Sequence, residues 1–268
     1  MDSAMEYYSA RAALQWQVEL GADEALGDVP INRYELPDTA PGKPARPVPV
    51  AAMAGAQAAP PPEPDKVDPV ADARRMAQAA GDLDGLRAAM AAFEHCELKR
   101  GARNLVFADG QPGARLMVIG EAPGREEDRE GRPFVGRAGQ LLDRMLDAIG
   151  MARGAESAAN SVYITNVMPW RPPQNREPTP EEIAMMVPFM QRHVELAAPD
   201  VLILVGNISC DAAIGKRGIT RLRGQWAEAY GRPAMPMFHP AYLLRQPQMK
   251  REAWADLLEV QARLREMT

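Results

Sequence analysis

The spacing of apolar residues changes several times along this chain. Over residues 1–27, Tyr7, Ala10, Leu14, Trp16, Val18 and Leu20 form a broad apolar side, and Gly27 and Pro30 stop it. That spacing predicts an amphipathic helix. Residues 28–69 lose the pattern: ten of the chain's 25 prolines lie between Pro37 and Pro69, interleaved with alanines. Such a stretch cannot bury a core and favours polyproline II, so a semi-rigid linker is expected. Residues 70–268 are expected to form the main domain. It begins with a helical stretch over 70–94, where Leu83, Leu86, Met90 and Phe93 recur at helical spacing.

From Gly101 onward the texture is different. Short apolar runs at 116–119, 162–164, 201–205 and 235–238 read as strands, separated by helical patterns at 136–149, 179–196, 207–214 and 249–267. Alternation of this kind predicts an α/β fold, a three-layer α/β/α sandwich on a short, mainly parallel four-stranded sheet, with the N-terminal helix as an extension. In parallel sheets ligands bind at the C-terminal strand ends, so the loops after the strands are where chemistry is sought. No internal repeat is visible.

Composition narrows the class. Of the 268 residues, 46% are hydrophobic and 25% charged, as in an ordinary globular chain, and no apolar run is long enough for a membrane helix. Two cysteines, Cys96 and Cys210, cannot make a disulfide scaffold. The N-terminus lacks a basic start followed by an apolar core, and cytoplasmic localisation is expected. The net charge of −5 is unevenly spread: residues 97–268 carry 23 basic and 21 acidic groups, leaving 8 and 15 in residues 1–96. The main domain is thus slightly basic, and a polyanionic ligand is not excluded.

Three loops concentrate unusual residues. The first runs Gly120-Glu121-Ala122-Pro123-Gly124 and on through Glu127 to Gly131-Arg132-Pro133-Phe134-Val135-Gly136. Small residues after a strand let backbone N–H groups approach a ligand, although a tight turn alone explains glycine and proline. Neither a P-loop nor a dinucleotide fingerprint is present. The second loop follows Asn166, whose amide offers a donor and an acceptor side by side; an Asx turn is the plainer alternative. The third is Phe238-His239-Pro240-Ala241-Tyr242-Leu243-Leu244-Arg245. With only His95, His193 and His239, and no acidic or cysteine partners in ligand spacing, a zinc site is not expected.

Taken in order, GEAPG, GRPFVGRAGQLL, YITN, WRPPQNR and FHPAYLLR make residues 96–264 resemble family 4 uracil-DNA glycosylases. The resemblance implies an enzyme that hydrolyses the N-glycosidic bond of uracil extruded from DNA, releases the base and leaves an abasic site. It implies that Phe134 stacks on the uracil, Asn166 reads its N3–H and O4 edge, and backbone at Glu121 and Ala122 completes the pocket. His239 would face O2, where charge accumulates as the bond breaks. Glu127, with Glu121 second, would position the water; both are equally suited to capping the loop. Leu243, Leu244 and Arg245 would wedge into the duplex. Asn175, Arg176, Arg221 and Arg223 would contact phosphates.

One departure stands out. The family holds a 4Fe–4S cluster on four cysteines, and those positions here are Phe93, Cys96, Trp170 and Met186. One thiolate cannot hold a cluster, so no cofactor is expected, and an apolar plug of Phe93, Trp170 and Met186 is expected to replace it. Competing readings are a non-catalytic DNA- or partner-binding module and a glycosylase for other deaminated bases. A monomer is expected, its N-terminal helix docking back on the domain or recruiting a repair or replication protein.

Overall fold

A computed structural model describes residues 68–267. The expected N-terminal helix and nearly all of the expected linker lie outside the described residues.

Two capped helices open the described chain. Asp68 caps α1 (Pro69–Ala79) by accepting from the Val70 N–H at 2.9 Å. Asp82 does the same for α2 (Leu83–Ala92), accepting from Gly85 N at 2.7 Å. The single helix expected over 70–94 is therefore two, broken where Gly81 ends one run and the Asp82 side chain starts the next. A short α3 (Leu98–Gly101) leads to β1 (Ala108–Gly110) and β2 (Leu116–Gly120). Then come α4 (Arg125–Glu130), α5 (Arg137–Asp147) and β3 (Val162–Asn166). The long helix α6 (Pro180–Ala197) begins at a reciprocal cap: Thr179 accepts from Glu182 N, and the Glu182 carboxylate accepts from Thr179 N. The chain continues through β4 (Val201–Val205), α7 (Asn207–Ile214), α8 (Ile219–Leu222), β5 (Ala227–Ala229), β6 (Arg232–Met237), α9 (Pro240–Arg245) and α10 (Lys250–Glu266).

The sheet order is β1-β3-β2-β4-β6-β5. Its four inner strands are parallel and are the four expected from the apolar runs. The two edge strands, antiparallel to β3 and β6, raise the count to six. With three residues each, Ala-Asp-Gly and Ala-Glu-Ala, they carry no apolar signal of their own. Every residue of β2, β3 and β4 is buried, as a sheet covered on both faces requires. Alternate side chains feed two cores: Met117, Ile119, Leu202 and Leu204 join Phe93, Met186 and Phe189, while Val118, Ile164 and Ile203 join Leu142, Leu243 and Leu257. No helix among the described residues is long and apolar enough to cross a membrane.

Candidate active site

The C-terminal ends of the parallel strands open into a cavity of about 520 Å³, lined among others by Glu121, Ala122, Glu127, Phe134, Asn166, Asn175, Arg176, His239 and Arg245. Loops after β2, β3 and β6 thus converge as parallel-sheet topology dictates.

At the floor, Gly120 ends β2. A Cβ there would lie 2.3 Å from Asn166 Oδ1 and 2.6 Å from Phe134 Cε2, so only glycine lets these two groups close over the strand end. Asn166 ends β3 at 3% exposure. Its Oδ1 is the one buried side-chain nitrogen or oxygen without a hydrogen-bond partner among the described residues. A buried acceptor left unpaired costs about 1–3 kcal/mol. Phe134 is also buried, and its backbone is left-handed with φ at 54°. For a residue with a Cβ that conformation costs roughly 1–2 kcal/mol. Its ring lies 5.6 Å from that of His239, the planes inclined by 29°.

His239 caps α9: Ala241 N–H donates to Nδ1 at 3.1 Å. An accepting Nδ1 leaves the proton on Nε2, so the free edge of the ring is a donor. Burial, with Arg245 assisting and Glu127 opposing, pushes its pKa down to about 4, and the imidazole is neutral at physiological pH.

The two carboxylates differ. Glu127 Oε1 accepts from Val135 N at 3.0 Å and Gly136 N at 2.9 Å, and Oε2 accepts from Gly124 N at 3.1 Å. It laces the two halves of the first loop together while lining the cavity. The half-buried Glu121 side chain makes no hydrogen bond among the described residues; burial and the nearby Glu177 carboxylate raise its pKa.

Two residues expected at the DNA are held elsewhere. Leu243 is wholly buried, because one turn of α9 turns it into the core beside Phe238. Arg223 bonds Asp256 and Glu252 of α10 and lies 5.7 Å over the Phe238 ring, so its guanidinium is already engaged. Arg176 reaches the cavity but forms a two-pronged pair with Glu182 at 2.6 and 2.8 Å. Asn175 lines the cavity with φ at 55° and accepts from Arg171. Arg221 is exposed and Leu244 half-buried, both outside the cavity lining; Arg245 is exposed at its edge. Two further residues were not expected from the sequence: Glu177, which lines the cavity and pairs with Arg217 at 3.4 Å, and Arg153, which holds the Phe134 loop. Both act through partners distant in sequence, which no local motif reveals.

The positions of the family's cluster do not fit one. Phe93, Trp170 and Met186 are buried in a single apolar core with Cys96, whose thiol pKa is raised by burial. A lone protonated thiol among apolar side chains is not an iron–sulfur donor set. Among the described residues no cluster of three or more His, Cys, Asp or Glu could hold a metal.

The Uracil DNA glycosylase superfamily is matched over residues 107–258. The Type-4 uracil-DNA glycosylase of Thermotoga maritima is 42% identical over 153 residues, covering 56% of this chain and 77% of that protein. Those of Archaeoglobus fulgidus and Pyrobaculum aerophilum are 34% and 36% identical, each over 66% of this chain and 91% of the relative. With that match on a parallel sheet whose loops close over Asn166, Phe134 and His239, the chain belongs to the uracil-DNA glycosylase superfamily.

Proposed function

We propose that this protein hydrolyses the N-glycosidic bond of uracil in DNA, releasing free uracil and leaving an abasic site, and that it does so without an iron–sulfur cluster. The observation that carries the reading is the unpaired Oδ1 of Asn166 at the floor of the cavity. It is an acceptor waiting for a donor, and N3–H of an extruded uracil supplies one, while the amide N–H₂ donates to O4. Cytosine presents the reverse pattern at these two positions and would leave the buried amide unpaired.

Phe134 offers a face for the ring. The Nε2–H of His239 is prepared as a donor for O2, where charge gathers as the base departs, and a neutral imidazole serves this role without a proton transfer. The cationic sugar is met by the carboxylates on the same wall. Glu121, whose side chain makes no hydrogen bond among the described residues and whose pKa is raised by burial, is suited to orienting the water; Glu127 fixes the loop that carries Phe134 and adds negative charge. Leu244, Arg245 and Arg221 are proposed to meet the DNA. A cytoplasmic monomer belongs to the same proposal, with recruitment of a repair or replication protein as one of the two roles open to residues 1–27.

An excision assay on a uracil-containing single-stranded oligonucleotide tests it, with His239→Ala alongside and iron measured in the same preparation. Cleavage by iron-free protein, slowed about a hundredfold or more in the variant, is the expected result. Folded protein that binds DNA and leaves uracil in place would turn the reading toward a non-catalytic module or another deaminated base.

A further inference from the structure

Phe134 holds a backbone conformation that its side chain disfavours, so something outside the residue must impose it. Two elements do. Gly139, in the first turn of α5, has no side chain: a Cβ there would fall 1.7 Å from the Phe134 carbonyl oxygen, which packs against the helix. On its other side stands Arg153, in the loop between α5 and β3. Its guanidinium donates from Nη1 to the Pro133 carbonyl and from Nη2 to the Phe134 carbonyl, both at 3.0 Å. The fork is itself fixed by Asp109 at the end of the sheet, at 2.7 Å, and by Asp143 on α5, at 2.9 Å. Arg132 also approaches Asp109, at 3.7 Å.

We propose that Arg153 is a positioning residue for the base pocket: it clamps the two carbonyls that set the left-handed turn at Phe134, and so aims the aromatic ring across Gly120 toward His239. The inference rests on the uracil-excision reading and extends it to a side chain outside the cavity lining. A planar guanidinium meets two successive carbonyls in fixed directions, which an ammonium does not. The paired aspartates keep the fork from turning away, and the clamp joins β1, α5 and the Phe134 loop in one polar network. Without it the turn at 134 relaxes toward ordinary φ, and the ring leaves the pocket wall.

The test is a double-mutant cycle in the full chain with a second readout independent of catalysis. Arg153→Met is expected to lower kcat/KM on uracil-containing DNA at least tenfold, and to cost nothing more once Phe134→Ala has removed the ring. In parallel, histidine-labelled protein is followed by NMR; the chain has three histidines, and the signals of His239 carry the ring-current displacement from Phe134. In Arg153→Met they should move toward their positions in Phe134→Ala, and in Arg153→Lys only part of the way. Where Arg153→Met does not fold, Arg153→Lys carries both comparisons. Equal losses in the two backgrounds, or unmoved His239 signals beside a lowered melting temperature, would overturn the proposal and leave Arg153 a general stabiliser. Wild-type protein without excision activity would overturn the uracil reading instead, with the NMR comparison still deciding the role of Arg153.

Discussion

The cavity and the flank where the family's cluster ligands would stand share the loop after β3, which brings Asn175 to one and Trp170 to the other, yet they are finished in opposite ways. At the pocket, the Asn166 acceptor is buried without a hydrogen-bond partner among the described residues, and Phe134 and Asn175 hold left-handed backbones. On the flank, Phe93 has no exposed surface, Cys96 and Met186 have 1% each and Trp170 3%, all within one apolar core. Phe93 meets Phe189 edge to face at 5.3 Å. The flank is closed by apolar packing, while the cavity wall keeps a polar edge and two left-handed turns. Substitutions on the two sides should therefore separate stability from activity.

Phe93→Ala is expected to have the largest effect, a loss of about 3–5 kcal/mol of stability. Denaturant unfolding measures it. Excision per folded molecule, assayed well below the melting temperature, should remain near wild type, because Phe93 does not line the cavity. A selective loss of activity at unchanged stability would show that the flank still serves the chemistry.

Asn166→Leu should do the reverse. Removing the polar edge is expected to slow uracil excision on the order of a hundredfold, about 3 kcal/mol, by analogy with loss of one prepared donor. The melting temperature should hold or rise, since an unsatisfied buried acceptor disappears with the amide. A fall in stability comparable to that of Phe93→Ala would mean that Asn166 belongs to the framework. Gly120→Ala is a smaller perturbation of the same floor. Its methyl meets Asn166 Oδ1 and the Phe134 ring, so both shift, at a cost of about 1–3 kcal/mol. The loss should appear mainly in KM, measured by single-turnover titration of enzyme.

These contrasts also mark how far the sequence could be read. The inner strands were legible because 116–119, 162–164, 201–205 and 235–238 are short apolar runs between helical patterns, and the loops after the first, second and fourth of them bring Phe134, Asn166 and His239 to one cavity. The split of the first helix was hidden because Gly81-Asp82 interrupts the apolar spacing without changing its phase enough to be seen. The engagement of Arg223 and the burial of Leu243 were not legible for a common reason: Arg223 is held by Asp256, and Leu243 shares a core with Leu142 and Leu257, all distant in sequence. The dual engagement of Glu127, eight and nine residues from the N–H groups it accepts from, is likewise a product of loop closure.

The smallest expected effect is an absence of titration where histidine ordinarily titrates. His239 has its pKa pushed from 6.5 to about 4, and the wholly enclosed His193 has its pushed to about 3. A lowered histidine pKa means that the unfolded chain binds the proton more readily. The neutral rings therefore contribute their full stabilisation above pH 6.5 and lose it progressively as pH falls toward 4 and 3. Between pH 6 and 8 the Nε2 donor of His239 is unchanged, so this residue should give kcat/KM no inflection near 6.5. Glu121, whose pKa is raised by burial, is expected to contribute an acid limb, and Glu121→Gln should remove that contribution. Below about pH 4 a second proton on His239 occupies Nδ1 and breaks its bond from Ala241 N–H, so the cap of α9 and the donor edge of the ring are disturbed together. Titration of the His239 NMR signals against pH measures this directly: a midpoint near 4 is expected, and one near 6.5 would mean a ring open to water rather than held for the departing base.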